Sequence, residues 1–326
     1  MNILDYLPSD MQTIFYTDDT WLTERNKGIG GSDVGTLLNM NPYKSIYKLY
    51  KEKAEGYCED LSENVNIKKG KELEDLIRIK YAVPYFSKIG YNIIHPNVML
   101  INPKCPHLRV NLDALAVPEI PGNPEDNIVV EIKWVSEYGE DNWNGEAYFG
   151  VPAYYYAQVQ AYMFATGAKK AVICALFDSS WKVKFYEIPY NADFAMKMAT
   201  RITCFMNVNV AMKMAPKLDS ALDKAFISEC ISEDTPIVET AEMTDLISDY
   251  KDLKIRIKNL EKEAKSLLDE LVNLYVKGNR PNSPLCKMKI TNYQTSKFDT
   301  AAFKEADPDL YTQFVKKVDC TKITVN

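Results

Sequence analysis

The segments R-V-N-L-D-A-L (109–115) and V-V-E-I-K-W-V (129–135) place charged side chains inside otherwise apolar runs. Both segments are rich in Val, Ile and Leu, and therefore predict β-strands. Residues two apart share one face of a strand, so Glu131 and Lys133 project together. A charge pair in a buried strand is costly unless its members pair with each other or bind something. These two strands are therefore the centre of the predicted fold.

The connection between the two strands predicts their register. It reads V-P-E-I-P-G-N-P-E-D-N (117–127), is rich in turn-forming residues and is centred near Gly122. In a hairpin symmetric about that glycine, Asp113 lies directly opposite Glu131 with its side chain on the same face. Two facing acids beside Lys133 are the groups needed to hold Mg²⁺ or Mn²⁺ and an attacking water. The alternative interpretation of Glu131 and Lys133 is a cross-strand salt bridge.

The elements around this centre follow the order helix, three strands, helix, two strands. Helices are predicted at 70–81 and 153–166, the second ending at Gly167, and two shorter ones precede them at 34–40 and 45–55. Strands are predicted at 91–101, 108–117, 128–135, 171–177 and 182–188. The sequence thus predicts an α/β (α+β) fold with a mixed central sheet flanked by helices.

Each of the two main helices carries polar candidates for the same site. In G-K-E-L-E-D-L-I (70–77) one acid could approach the carboxylates, or the acids could simply stabilise the first helical turn. Gln158 and Gln160 are about 200° apart on the second helix, so only one of them can point at the site. The other glutamine is then expected to face solvent.

Apolar residues from Leu246 to Leu274 alternate spacings of four and three, which predicts a long heptad helix ended by Gly278 and Pro281. This helix either docks on its own domain or pairs with another chain in a coiled coil. The tail carries a predicted strand at 287–291 and a short helix near 300–305. The predicted domains are a core at 1–212, a connecting segment at 213–242, and a region at 243–326 that contains the heptad helix and a small β-containing tail.

Composition excludes several classes of protein. The 326 residues are 46% hydrophobic and 26% charged, which is typical of a folded chain, and the longest apolar run, 171–177, is too short to span a membrane. Seven scattered cysteines without a C-x-x-C pair argue against iron–sulfur and zinc-ribbon sites and favour a reducing cytoplasm. Two histidines exclude chemistry built on several histidines. A net charge of −6 argues against non-specific DNA coating.

The chain resembles the YqaJ-type viral recombinases, relatives of lambda exonuclease within the PD-(D/E)xK nuclease superfamily. The resemblance rests on I-G-G-S-D-V-G-T-L-L-N-M-N-P-Y-K-S (29–45), G-K-E-L-E (70–74), Asp113 with Glu131-x-Lys133, and A-Q-V-Q-A-Y (157–162). It covers about residues 20–200 and implies a restriction-endonuclease-like core. One departure is Leu112, which stands where the superfamily's name writes proline.

The resemblance implies roles for individual residues. It implies two Mg²⁺ or Mn²⁺ ions per active site, whose ligands are Asp113, Glu131, the Ile132 carbonyl and Glu74. It makes Lys133 the catalytic lysine, and Gln158 matches the motif's glutamine better than Gln160. It also implies a site for a terminal 5′-phosphate at Arg25 and Ser32, where the exposed amides of Gly30 and Gly31 precede a helix and favour anions.

The activity implied by the resemblance is a 5′-to-3′ double-stranded DNA exonuclease that leaves 3′ overhangs for phage-type recombination. Its expected partners are duplex ends, a single-strand annealing protein and further copies of the chain in a ring, in the cytoplasm of a bacterial host. The expected basic track for DNA consists of Arg25, Lys27, Lys44, Lys68, Lys69 and Lys71. The alternatives are an endonuclease or Cas4-like repair nuclease on the same core, and a non-catalytic scaffold for recombination.

Overall fold

The computed structural model describes residues 2–59, 63–230, 240–278 and 294–315. The chain divides into two compact units, Met1–Asp223 and Lys224–Asn326. The domain boundaries proposed from the sequence, after residues 212 and 242, stay predictions. The strand predicted at 287–291 lies outside the described residues. None of the helices within the described ranges is both long enough and apolar enough to cross a membrane.

The first unit contains seven α-helices and nine strands within its described residues. Its helices are α1 (Asp18–Asn26), α2 (Gly31–Leu37), α3 (Ile46–Ala54), α4 (Val65–Ile77), α5 (Val83–Lys88), α6 (Ala153–Thr166) and α7 (Ala192–Cys204). Its strands are β1 (Gln12–Ile14), β2 (Ile29–Gly30), β3 (Tyr91–Ile94), β4 (Met99–Ile101), β5 (Leu108–Arg109), β6 (Ala114–Pro118), β7 (Ile128–Val135), β8 (Lys170–Phe177) and β9 (Lys182–Pro189). A π-helical turn, Arg78–Ala82, joins α4 to α5, and a second one, Phe205–Ala211, extends α7.

A five-stranded mixed sheet with the order β3-β6-β7-β8-β9 forms the centre of this unit. Strands β7 and β8 are parallel, whereas the other neighbours are antiparallel. Ala114 pairs with Val130 and Ala116 with Ile128, so the β6–β7 hairpin is symmetric about Gly122. The predicted fold class and the predicted register are both confirmed.

Helices cover the two faces of this sheet, and side chains alternate between two cores along β7. Val129 belongs to the core beneath α2 and α6, whereas Val130 and Ile132 belong to the core beneath α4 and α5. Glu131 therefore faces the α6 side from the middle of the sheet. This alternation puts the charged residues of the strand within reach of α6.

Two predicted strands are interrupted in the structure. The segment 91–101 splits into β3 and β4 around Pro96, which has no N–H for a ladder, and β4 leaves the central sheet to pair with β1. The segment 108–117 splits into β5 and β6 because the Asp113 carboxylate accepts a hydrogen bond from the Ile132 N–H, and backbone pairing resumes at Ala114. β5 pairs in parallel with β2.

Helix boundaries follow local capping. α6 ends at Gly167, whose φ of 83° is left-handed, as predicted for a C-cap. α4 begins five residues earlier than predicted because the Asn64 side chain accepts hydrogen bonds from the N–H groups of Asn66 and Ile67. Helix α7 was not predicted.

The second unit is helical in its described residues: α8 (Lys224–Cys230), α9 (Ala241–Val276), α10 (Thr300–Ala306) and α11 (Pro308–Phe314). The predicted heptad helix is confirmed as α9, which has 36 residues and is followed by Gly278 at a φ of 96°. No described residue of α9 is buried. Its heptad leucines are exposed, with Leu260 at 62%.

Candidate active site

The Glu131 carboxylate lies fully buried in the central strand and is held by two side chains. Its Oε1 accepts hydrogen bonds from the Lys133 Nζ and from the Gln158 Nε2, the latter at 2.6 Å. The Lys133 side chain is 20% exposed. The predicted Glu131–Lys133 pair is thus present as an ion pair between a fully buried carboxylate and a partly exposed ammonium. Such an arrangement keeps the ammonium accessible to a ligand.

Asp113 lies opposite Glu131 at the point where β6 begins. Its Oδ2 accepts the Ile132 N–H at 2.8 Å, which fixes the carboxylate against β7. Its backbone carbonyl accepts hydrogen bonds from the His95 Nδ1 at 2.7 Å and from the Arg78 Nη1 at 3.5 Å. The break in the strand is therefore well supported, and it directs an acid toward the site.

Three acids influence one another at this place. Burial, followed by the charges of Asp113 and Glu74, raises the pKa of Glu131 to about 8 even though Lys133 opposes the shift. Burial and the Asp113 charge also raise the pKa of Glu74. Burial disfavours the charged form of Lys133, but the carboxylates of Glu131 and Asp113 outweigh it and hold the pKa of the lysine well above its ordinary value. Three neighbouring acids therefore share a single lysine at this site.

This donor set fits a divalent cation. The buried Oε2 of Glu131 has no hydrogen-bond partner among the described residues. Carboxylate oxygens are the ligands that Mg²⁺ and Mn²⁺ prefer. The described part of the chain contains no ready-made group of three His, Cys, Asp or Glu side chains for a metal ion. The unpaired Oε2 is thus the observation that indicates a cation, and the ligand roles of Asp113, Glu74 and the Ile132 carbonyl stay predictions.

The two glutamines of helix α6 point in different directions and have different hydrogen-bond partners. Gln158 points at Glu131, as described above. Gln160 is also buried, and it donates to the Pro189 carbonyl at 2.8 Å and accepts the Asn191 N–H at 2.9 Å. The expectation that the second glutamine faces solvent is wrong, because this residue ties the end of β9 to the start of α7.

Two tyrosines that sequence reasoning did not assign to the site support it. The Tyr162 hydroxyl accepts a hydrogen bond from the Gln158 Nε2 at 2.9 Å, and the Lys133 Nζ lies 5.0 Å from the centre of the Tyr155 ring. A Cβ on Gly31 would come within 2.1 Å of the Tyr162 ring, so only glycine fits there. The signal in the sequence was the four-residue spacing between Gln158 and Tyr162, which makes the two side chains neighbours on one face of a helix.

A second charged group surrounds Asp33 on α2. The Asp33 carboxylate, which is almost fully buried, contacts the Arg25 Nη2 at 3.0 Å, the Lys44 Nζ at 3.1 Å and the Lys53 Nζ at 3.2 Å. Burial alone would raise the pKa of Asp33, but the three cations hold it well below the ordinary value. Lys44 also contacts Glu52 at 2.6 Å. We call Arg25, Asp33, Lys44 and Lys53 the Asp33 cluster.

The Asp33 cluster includes part of the predicted phosphate site. The Arg25 Nη2 donates to the Ser32 hydroxyl at 3.0 Å, and both residues line a cleft of about 700 Å³ together with Lys44 and Lys48. The same lining contains three carboxylates, those of Asp33, Glu52 and Glu59. We call it the cationic cleft after its three cations. The Gly30 N–H donates to Asp33 at 3.1 Å and is therefore already used, whereas Gly31 packs against Tyr162. Arg25 and Ser32 are brought together, and their binding of phosphate stays a prediction.

Three other residues of the predicted basic track form ion pairs at the surface. Lys27 contacts Glu24 at 2.6 Å, Lys68 contacts Glu63 at 3.3 Å, and Lys69 lies 3.9 Å from Asp178. Each of these lysines is about half exposed, so the ion pairs are weak and can be exchanged for phosphate contacts.

Residues 20–169 match the family model of the YqaJ-like viral recombinase domain. A curated relative, the uncharacterized protein YqaJ of Bacillus subtilis (strain 168), is 26% identical over 318 residues, which are 92% of this chain and 91% of the relative. The family resemblance predicted from the sequence is thereby confirmed.

Solved structures are also similar to part of this chain. An alkaline exonuclease (LHK-Exo) from Laribacter hongkongensis, alone and in complex with dAMP, is 15% identical with a TM-score of 0.47 in both structures. The matches cover 65% of this chain and 100% and 99% of those chains.

We expect Asp33→Asn to lower the free energy of unfolding by about 3–5 kcal/mol, because it leaves buried cations uncompensated. The folded pKa of Asp33 is below its unfolded value, so its stabilisation is present at neutral pH and is lost as the pH falls. The difference between variant and wild type should therefore shrink below about pH 4. Urea unfolding at several pH values measures this, with the exposed Asp10→Asn as control. Equal loss in both variants at pH 7 would contradict it.

Proposed function

We propose that this chain, whose residues 20–169 match the YqaJ-like viral recombinase domain, is a metal-dependent DNA exonuclease. It degrades the 5′-ended strand of linear duplex DNA and leaves a 3′ overhang for a single-strand annealing protein in phage-type recombination, in the cytoplasm of a bacterial host. The observation that carries the proposal is the buried Glu131 carboxylate, whose Oε2 is unpaired beside Asp113 and Lys133. Such a group is suited to hold a cation next to a scissile phosphate.

The residues of the site divide the chemistry among them. Bound Mg²⁺ or Mn²⁺, two ions per site, would neutralise the scissile phosphate and lower the pKa of the attacking water. Glu131, Asp113 and Glu74 would hold the ions, with the Ile132 carbonyl as a further ligand. Gln158 occupies Oε1 of Glu131 and thereby leaves Oε2 for a cation. Gln158 itself is held by Tyr162.

Lys133 acts on the water rather than on the ions. Its ammonium lies between the Glu131 carboxylate and the Tyr155 ring, which restrict its position. From there it donates a hydrogen bond to the attacking water and orients it toward phosphorus. Because its own pKa is high, it stays charged and also stabilises the negative charge that develops on the phosphate.

Strand polarity requires a second site that recognises an end. A terminal 5′-phosphate carries up to one more negative charge than an internal phosphate. Arg25 and Ser32 would grip this group in the cationic cleft, with Lys44 nearby. Asp33 fixes the Arg25 guanidinium in advance, so the side chain loses little freedom on binding.

The experiment that tests the proposal compares linear and circular duplex DNA with added Mg²⁺. We expect degradation of linear duplex only, from the 5′ end. Nicking of circles would favour the endonuclease instead, and no cleavage of either substrate with Mg²⁺ or Mn²⁺ would favour the non-catalytic scaffold. End-labelled strands identify the end at which digestion starts.

We expect Lys133→Ala to reduce cleavage by about 10²–10⁴-fold while metal and DNA binding persist, because the lysine acts on water. Asp113→Ala should lose metal binding as well. Calorimetric titration with Mg²⁺ separates the two variants, and the exposed Lys182→Ala is the control for a lost surface charge. Normal Mg²⁺ affinity in Asp113→Ala would show that the ligand assignment is wrong.

We expect the wild type to prefer 5′-phosphorylated over 5′-hydroxyl duplex ends by about ten- to a hundredfold, the equivalent of one charge-assisted hydrogen bond. Arg25→Ala should remove this preference and keep residual metal-dependent cleavage. Lys27→Ala, which removes a neighbouring exposed charge, should keep the preference. Initial rates on both substrates measure the effect. Equal wild-type rates, or digestion from the 3′ end, would refute the assignment.

Helix α9 supplies the proposed contact between copies, because its heptad leucines are exposed in the single chain. The assembly suggested by the family resemblance is a ring around DNA. We expect Leu260→Asp to dissociate the oligomer, since it places an unpaired charge in an apolar seam. Asn259→Asp adds the same charge outside the seam and should have no effect. Sedimentation at several protein concentrations distinguishes these outcomes, and a loss of stability without dissociation would contradict the seam.

A further inference from the structure

A groove of about 470 Å³ lies between the segment that follows α2 and the connection from β7 to α6. Its polar and aromatic lining consists of Asn39, Asn41, Tyr43, Asn142, Tyr148 and Tyr154. Among its described lining residues only Glu146 is charged. We call it the aromatic–amide groove. Neither the catalytic residues nor the residues of the phosphate site explain it.

Backbone strain is concentrated on one wall of this groove, in the β7–α6 connection. Tyr148 has a φ of 52° and Phe149 follows at 60°, whereas the φ of 56° at Asn39 lies just past the end of α2, where asparagine commonly takes this conformation. The left-handed conformation is unfavourable for residues with a Cβ, most of all for bulky ones. Such strain persists only where the surroundings enforce it, and it is enriched at functional sites.

Hydrogen bonds of Asn144 hold the conformation of the β7–α6 connection. The Asn144 N–H donates to the Gly150 carbonyl at 2.7 Å, and its side-chain oxygen accepts hydrogen bonds from Lys184 at 3.0 Å and Tyr186 at 2.8 Å. Tyr148 nevertheless remains 42% exposed, with its ring 5.2 Å from that of Tyr156. The strain therefore does not serve to bury the ring in the core. It presents an aromatic face at the groove.

The lining matches a nucleobase rather than a phosphate. Aromatic rings stack on any base, and side-chain amides donate and accept hydrogen bonds at base edges. Phosphate would require cations, which are found in the adjoining cationic cleft instead. The Asn41 side-chain oxygen accepts a hydrogen bond from the Tyr43 N–H at 2.9 Å, which fixes the backbone from which this ring projects.

The groove is continuous with both parts of the proposed site. Asn41 and Tyr43 line the groove and the cationic cleft alike. The Tyr43 ring lies 5.9 Å from that of Tyr154, which lies 4.4 Å from that of Tyr155 beneath Lys133. A single nucleotide unit could therefore contact the cleft through its phosphate and the groove through its base.

We propose that the aromatic–amide groove binds an unpaired nucleobase at the 5′ end of the strand whose terminal phosphate occupies the cationic cleft. The proposal rests on the proposed function, because it needs DNA as substrate. It adds that Tyr148 and Tyr43 hold the base of an unpaired end nucleotide by stacking.

The test uses 2-aminopurine, whose fluorescence is quenched by stacking, without divalent metal so that no strand is cut. One probe is 2-aminopurine deoxyriboside 5′-monophosphate, and the other is a 5′-phosphorylated duplex with 2-aminopurine as an unpaired first nucleotide. We expect the wild type to quench both probes. Tyr148→Gly should weaken binding of the nucleotide by about five- to a hundredfold, the effect of one lost stacking partner.

Two further variants control this result. Tyr148→Phe keeps the ring and should bind like the wild type, as should Tyr138→Ala, which removes a 96% exposed tyrosine from the same connection. Because glycine tolerates positive φ, Tyr148→Gly should not lower the thermal midpoint, so weaker binding cannot be ascribed to misfolding. Unchanged quenching in Tyr148→Gly, or no quenching of either probe by the wild type, overturns the groove assignment.

The nuclease assay on linear DNA with Mg²⁺ is read separately. Cleavage without quenching refutes the groove and retains the exonuclease. Quenching that Tyr148→Gly weakens, without cleavage by the wild type, supports the groove and refutes the exonuclease. The two proposals therefore fail independently.

Discussion

The burial of the Glu131 carboxylate in the central strand is the constraint on which the remainder of the first unit depends. A carboxyl group at this depth requires hydrogen-bond partners, and one of them is Gln158 on α6. Gln158 is positioned by Tyr162, whose ring leaves room only for glycine at position 31. Helix α2 begins at Gly31, and two residues later Asp33 forms ion pairs with three cations. One chain of contacts thus links the carboxylate site to the Asp33 cluster.

The two charged clusters differ in composition. Around Glu131, three acids share Lys133, so the site attracts cations. Around Asp33, the three cations Arg25, Lys44 and Lys53 share the carboxylates of Asp33 and Glu52. The proposed substrate, DNA, is a polyanion, and the proposed metal ions and the cationic side chains would neutralise it at different points along one strand. The overall charge of −6 conceals this separation.

The sequence predicted those features that depend on periodicity and symmetry. The two-residue period placed Glu131 and Lys133 on one face, and the symmetric connection placed Asp113 opposite Glu131. Features that depend on contacts between distant elements were not predicted. Lys53 reaches Asp33 across twenty positions, and no local pattern marks such a pair. The break before β6 also escaped prediction, because a side chain replaces the backbone partner of Ile132 there and apolar content alone does not reveal it.

The π-helical turn between α4 and α5 has an evolutionary consequence. A wider turn accommodates one additional residue, and every residue that an α-helix gains rotates the preceding segment by about 100°. Ile77 and Ala82 both remain buried in the same core across this turn. The wider turn therefore takes up the extra residue locally, and loss of a single residue between them would restore a regular helix without turning Glu74 or the core residues of α5 to other faces. Relatives with one residue fewer here can thus keep the same acidic centre, so the length of this segment does not by itself separate active from inactive members.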